Sequence, residues 1–226
     1  MRQIKTFQEF INENLWSDLQ DRSSGEVTRK EDYITTREEL DDIIWSAYKE
    51  QGKGDTLTLD FTGKKILVED LSSLFELFEF SADLKHIFGL ETWDVSNVTN
   101  MEDMFDGCIE LTELNIGNWD VSKVTNMSTM FCYCKNLTEL NIGNWNVSKV
   151  KDMSYMFYCC NNLTKLDIGN WDVSRVKNIN GMFGHCKKLL ELDLRNWNVG
   201  KVKNIVNMDI NCPVHYIKKG NKLIWQ

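Results

Sequence analysis

The sequence predicts an α/β solenoid of short parallel strands and short helical segments that repeats every 26 residues, and three observations carry that prediction. Trp93, Trp119, Trp145, Trp171 and Trp197 recur at this interval. So do Cys108, Cys134, Cys160, Cys186 and Cys212, and so do Met-Phe pairs at 104–105, 130–131, 156–157 and 182–183. Three residue classes in one register mark stacked units, none of which buries its apolar face alone.

One unit shows the local chemistry. Leu111, Leu114, Ile116, Trp119 and Val121 follow the spacing L-x-x-L-x-L-x-x-N-x-L, with Trp at the usual Asn place. The x-L-x-L core alternates with period two, which predicts a short strand with one buried face. Val124, Met127, Met130, Phe131 and Cys134 then follow at helical spacing, with Asn126 placed as an N-cap. Each coil therefore reads as a leucine-rich-repeat-type unit: strand, corner, and a short helical or 3₁₀ return.

The ends depart from the pattern, as capping units do. Residues 36–92 read as an N-terminal capping helix followed by a degenerate repeat. Thr36-Arg37-Glu38-Glu39 is a capping box, and Leu40, Ile43, Ile44 and Tyr48 continue it as an amphipathic helix ending near Gly52. A first strand follows at residues 56–61. Leu71, Leu74 and Phe75 then take the spacing of Met127, Met130 and Phe131, with an insertion of four residues before Trp93. The regular array occupies residues 93–212. Residues 213–226 read as a hairpin cap, with His215-Tyr216-Ile217 and Leu223-Ile224-Trp225 flanking Lys218-Lys219-Gly220-Asn221. At the other end, residues 1–13 carry one apolar stripe of Ile4, Phe7, Phe10 and Ile11 on a short helix, and residues 14–35 form a polar linker.

Composition narrows the function classes. The apolar share is 42%, enough for a core, and the formal net charge is −8. Residues 1–92 carry 20 acidic and 11 basic side chains, against 14 and 15 in residues 93–226. Neither part has the basic balance of a nucleic-acid binder. No apolar stretch reads as a membrane span or a secretory signal, and no lipid-anchor cysteine stands near the start, so the expected location is inside the producing cell or in a particle it packages.

The cysteines do not point to metal or disulfide chemistry. Five of seven share one buried position, no C-x-x-C pair exists, and His86, His185 and His215 fall in unrelated registers. Only Cys132 and Cys159 stand outside the column and are the thiols expected to react. No serine or cysteine has a His and an acid placed to activate it, and Gly52-Lys53-Gly54-Asp55-Thr56 lacks the phosphate-loop frame. The expectation is a protein without catalytic, cofactor or metal sites.

Stacking turns each polar position into a stripe. The outward strand positions read Glu113, Glu139, Lys165 and Glu191 and, two residues along, Asn115, Asn141, Asp167 and Asp193. In a leucine-rich horseshoe this is the concave binding face, here acidic and amide-rich, suited to a protein partner with a basic patch. Past the Trp corner, Lys123, Lys149, Arg175 and Lys201, with Lys151, Lys177 and Lys203, form a basic stripe. Such a stripe solvates the surface; the alternative is contact with anionic lipid, polysaccharide or nucleic acid. Aromatic residues for stacking single-stranded bases are absent from it. Asn118, Asn144, Asn170 and Asn196 form a further column, read as satisfying turn backbone.

The run Trp-Asp-Val-Ser-x-Val-Thr-Asn-Met-x-x-Met-Phe-x-x-Cys-x-x-Leu-x-x-Leu at 93–114 and 119–140 closely resembles the BspA-like leucine-rich repeat surface proteins. Their 26-residue repeat is also known as a bacterial domain of unknown function abundant in mycoplasma lipoproteins. The resemblance implies a solenoid used for adhesion or protein binding at cell surfaces, whereas this sequence has no signal peptide or lipobox. The shorter run Lys5-Thr6-Phe7-Gln8-Glu9-Phe10-Ile11-Asn12-Glu13 resembles the capsid-targeting peptide of tailed-phage internal head proteins. It implies a virion-associated protein clipped after Glu13, as the alternative to a helix that docks on its own domain.

Overall fold

The structure, a computed structural model, describes residues 33–51, 57–62, 64–76 and 83–225. The readings of residues 1–13 and 14–32 lie outside the described residues. At the end of the expected linker, Tyr33–Ile34 form a strand, β1. The capping box then starts helix α1, Arg37–Gln51. Thr36 Oγ1 accepts the Glu39 N–H (3.1 Å), and Glu39 Oε2 accepts the N–H groups of Thr35 (2.8 Å) and Thr36 (3.1 Å). Burial opposes ionisation of Glu39, but these hydrogen bonds outweigh it and hold the carboxyl below its ordinary value. Leu40 and Ile44 are fully buried, with Ala47 and Tyr48 packed beside them. Ile43, expected on that face, is 37% exposed, because the packed stripe follows i, i+4, i+7 and i+8 from Leu40.

Strands β2 (Leu57–Asp60), β3 (Lys65–Ile66) and β4 (Leu84–Phe88) build the first coil. β2 pairs with β4 in parallel, with a register shift between Leu57 and Thr58. β3 pairs with β1, where Leu67 N–H donates to Ile34 O (2.9 Å). A 3₁₀ turn, Leu90–Thr92, leads to Trp93.

From there the chain advances by stacked coils. Parallel bridges join Asp70 to Asn100, Asn100 to Asn126, Asn126 to Asp152, Asp152 to Asn178 and Asn178 to Asn204. The first step spans 30 residues and the rest 26, so the four-residue insertion lies inside the first coil. On another side, β5 (Lys165–Leu166) and β6 (Glu191–Leu192) pair in parallel, and Glu139 bridges to Lys165.

The segments expected to be helical are runs of consecutive turns. Thr129 and Tyr133 adopt left-handed φ of 55° and 57°, as do Tyr155 and Cys159 at 56° and 61° one coil on. The reason lies in where the amides point. The N–H groups of Met101, Asp103, Phe105 and Gly107 donate to the carbonyls of Asn126, Ser128, Met130 and Cys132 in the next coil, at 2.9–3.1 Å. An α-helix would tie those amides to carbonyls four residues back in their own coil. Asn126 does accept a backbone amide, as a cap would, but from Ser128 (3.0 Å), which closes a two-residue Asx turn. Asn100, Asp152 and Asn178 repeat that bond to Glu102, Ser154 and Asn180.

The core columns stack face to face. Neighbouring Trp rings from Trp93 to Trp197 lie 6.2–6.5 Å apart within 9° of parallel. Phe75, Phe105, Phe131, Phe157 and Phe183 stack at 5.2–5.8 Å. The Trp and Cys columns also hydrogen-bond backward. Trp119, Trp145, Trp171 and Trp197 donate Nε1–H to the carbonyls of Leu90, Ile116, Ile142 and Ile168. Cys134, Cys160 and Cys186 donate S–H to the carbonyls of Phe105, Phe131 and Phe157 at 3.0–3.1 Å. Cysteine suits this slot because it is small and apolar yet still carries a weak donor.

Strands β7 (Tyr216–Lys219) and β8 (Lys222–Trp225) form an antiparallel hairpin, with Gly220 at φ 60° as the first of its two turn residues. Asp209 stands where the phenylalanine column would continue. Its buried carboxylate accepts the Tyr216 N–H (2.5 Å) and lies 3.1 Å from His215 Nδ1. Tyr216 Oη–H in turn donates to Leu192 O (2.7 Å). A polar group thus ends the aromatic stack by anchoring the hairpin.

Candidate binding groove

Parallel stacking places the outward side chains of successive coils side by side, although only β5 and β6 form strands here and the strand expected from Leu111 to Ile116 does not form. Seven of the eight strand-face residues line one open hollow of about 870 Å³: Glu113, Asn115, Glu139, Asn141, Lys165, Asp167 and Glu191. All are exposed. In the β5–β6 register Lys165 faces Glu191, and the two form a salt bridge of 3.2 Å.

Asp193, the eighth, does not line the hollow. Its carboxylate is paired within its own coil to Arg195, through Nε (2.9 Å) and Nη2 (2.6 Å). Those side-chain hydrogen bonds, with the Arg195 backbone N–H, hold its pKa down to about 2.

The first coil completes the groove with residues that the strand columns do not contain. β4 contributes His86, Ile87 and Phe88, followed by Gly89 and Glu91, and Thr62 stands beside them. Phe88 is 51% exposed, and its ring stacks on His86 at 6.0 Å and 9°. Gly89 adopts φ 86°, and a Cβ there would sit 2.3 Å from the Phe61 carbonyl carbon. Only glycine allows the chain to turn so closely against β2. The signal was the Leu84-Lys85-His86-Ile87-Phe88 run itself, which departs from the array's register.

The groove wall is acidic. Glu91, Glu113, Glu139, Asp167 and Glu191 face one lysine, Lys165, which Glu191 already engages. Clefts lined by one sign of charge concentrate partners of the other sign.

The basic stripe lies elsewhere on the coils. Lys123, Lys149, Lys151, Arg175, Lys177, Lys201 and Lys203 are all exposed. Backbone bonds of 2.8 Å hold Lys151, Lys177 and Lys203 in line, each N–H donating one coil back to Thr125, Lys151 and Lys177. Lys123 Nζ donates to Asn97 Oδ1 (2.6 Å). Asp120 interrupts the stripe. Hydrogen bonds from Ser122 hold its carboxyl below the ordinary range, with Lys123 and Lys149 adding to the effect. Of the Asn column before Trp, Asn118 donates to Glu91 O (2.8 Å), whereas Asn144, Asn170 and Asn196 are exposed and make no such bond among the described residues.

All seven cysteines are free thiols. Cys132, expected to react, is 5% exposed, and burial pushes its thiol up. Cys159 is the partly exposed one of that pair. Among the described residues no cluster of His, Cys, Asp or Glu is arranged to hold a metal ion, and no helix is long and apolar enough to cross a membrane.

One carboxylate on the turn side carries a pH dependence. Burial raises Asp106 to about 6, and its Oδ1 meets no partner. A carboxyl whose folded pKa lies above its unfolded value stabilises the fold when protonated, and that contribution fades as pH rises from about 4 through about 6. Asp106→Asn removes this penalty. The variant is therefore expected to melt higher than the parent at pH 8 and to lose that advantage at pH 4, as thermal unfolding at the two pH values would measure. A variant that melts lower at pH 8 would contradict the assignment.

No curated protein and no solved structure matches the chain. A family does: residues 69–166 and 138–214 match the family described as Mycoplasma protein of unknown function, DUF285. The two matches overlap and together run from the end of the first coil to the start of the hairpin cap. With well over half its length so matched, and with the stacked 26-residue coils falling inside the matched region, this chain belongs to the DUF285 family.

Proposed function

We propose that the chain is a non-catalytic, leucine-rich-repeat-type solenoid that holds a basic segment of a protein partner in the groove across its strand face. The observation that carries this reading is the convergence of Glu91, Glu113, Glu139 and Asp167 in one open hollow, with a single lysine among them. The resemblance of the repeats to BspA-like proteins supports a binding or adhesion role. The His86–Phe88 pair supplies an aromatic floor at one end, over which an arginine or lysine can stack.

The test uses short peptides selected for binding from a random displayed library. The bound sequences should be enriched in Lys and Arg. Substituting Glu113→Lys, Glu139→Lys and Glu191→Lys together should abolish their binding, and raised salt should weaken it. Selected peptides that bind the triple variant unchanged would remove the groove from consideration.

A further inference from the structure

The two ends of the turn ladder differ. Along the turn run the ladder bonds share one sense: the earlier coil donates its N–H groups, and the later coil accepts with its carbonyls. Just before the run, by contrast, Thr125, Lys151, Lys177 and Lys203 donate one coil back. A regular strand edge alternates donors and acceptors. Here the forward edge of each turn run offers a row of donors, with acceptors only outside the run, at the carbonyls of Thr99, Thr125, Lys151 and Lys177. At the N-terminal end Arg37 of α1 covers part of the exposed edge, donating to Ser72 O (2.7 Å) and Ser73 O (3.4 Å).

At the C-terminal end the hairpin is anchored on Asp209 and Val202, but among the described residues nothing bonds the amides of the turn run itself. The amides of Phe183 and His185 reach Met208 O and Ile210 O, so the coil at 204–211 is fully paired backward. Forward, the amides of Ile205, Asn207, Asp209 and Asn211 meet no acceptor among the described residues. Ile205, Asn207 and Asp209 line a hollow of about 330 Å³, together with Ile210, His215 and Lys218 among others. Val206 and Ile210 stand 66% and 40% exposed beside it. A row of aligned amides attracts anionic and carbonyl oxygen.

Charge selects among acceptors. Residues 200–226 carry five lysines and one acid, Asp209, in a chain of net charge −8. Asp209 is already bound to Tyr216 and His215. A second copy of this end is a poor match for it, because along the turn run two donor rows would face each other. We infer that this end is a docking edge for an extended acidic peptide segment of a partner protein. The segment's carbonyl oxygens take the amides of 205, 207, 209 and 211, its apolar side chains cover Val206 and Ile210, and its carboxylates face the lysines of the hairpin. This site is separate from the groove, takes the opposite charge, and does not depend on the groove's role.

The experiment titrates the full chain with a labelled peptide of alternating Glu and Val, eight residues long, and with its Lys-Val counterpart as control. Fluorescence anisotropy reads binding, and amide hydrogen exchange reads the edge. The Glu-Val peptide should bind and slow exchange at 205, 207, 209 and 211, while the control does neither. Val206→Glu with Ile210→Glu, both at exposed positions, should weaken binding at least about tenfold while leaving the melting temperature unchanged. Unchanged exchange at the four amides, or equal protection by the Lys-Val peptide, would overturn the proposal. So would protection that appears without peptide and grows with protein concentration, which would make a second copy the occupant.

Discussion

Trp145→Ala is expected to produce the largest loss of stability of any single truncation within the regular array. Trp145 is 3% exposed, lies 6.4 Å from both Trp119 and Trp171, and donates Nε1–H to Ile116 O at 3.1 Å. Truncating a buried aromatic costs about 3–5 kcal/mol. Two stacking partners add about 0.5–1.5 kcal/mol each beyond area burial. In a linear stack each coil is held only by its neighbours, so a void at the middle coil uncouples the halves. Urea unfolding should therefore show a lower midpoint and a broadened or two-step transition. Trp145→Phe separates the terms: the ring remains, and the loss falls to about 1–3 kcal/mol for the orphaned Ile116 carbonyl. Trp93 supplies the control. Its Nε1 is buried without a partner, so Trp93→Phe should be neutral or stabilising. An alanine variant at 145 that loses less than about 2 kcal/mol would mean that the Trp column does not carry the fold.

The second large effect is expected at a glycine. A Cβ on Gly143 would lie 2.5 Å from the Asp167 carbonyl oxygen, and Cβ atoms on Gly117 and Gly169 would lie 2.5 and 2.7 Å from the carbonyl oxygens of Asn141 and Asp193. No rotamer relieves a clash between a Cβ and the backbone of the next coil. Gly143→Val must push two coils apart and is expected to cost about 1–3 kcal/mol or more, the range of overpacked cores. The next place in this column holds Arg195. Its side chain is 75% exposed, so the side chain that is forbidden at 143 is accommodated at 195. Arg195→Gly should accordingly change stability little. Comparing the two by thermal melting tests the explanation: equal losses at 143 and 195 would rule out inter-coil crowding as the reason for glycine.

How much of this was legible beforehand depends on the kind of interaction. The Trp, Met-Phe and Cys columns declared both the period and the core, because burial selects residue type and a repeat displays that selection several times over. The four-residue insertion was legible for the same reason: Leu71, Leu74 and Phe75 keep their mutual spacing, and Phe75 stacks on Phe105 at 5.2 Å. The capping box of α1 is a local feature of four residues and needed nothing further. Most of the groove followed from period-two alternation, which sends Glu113 and Asn115 to one side of their coil even though no strand forms there.

Tertiary structure decided the rest. Val124, Met127, Met130, Phe131 and Cys134 have the spacing of a helix, yet their coil is a run of turns. Spacing reports which side chains share a face. It does not report whether an amide finds its carbonyl four residues back or one coil ahead, and here the next coil takes it. The same ignorance of partners concealed that Asp193 is spent on Arg195, that β4 closes the groove with His86 and Phe88, and that Cys132 is covered by its neighbours. It also concealed the asymmetry of the ends, since a row of amides is bonded or bare only in relation to the coil that does or does not follow it. The period and the core of the array were thus properties of the sequence itself. The path of the backbone between core positions, and the surfaces left open at its sides and its end, were settled by hydrogen bonds between residues far apart in the chain.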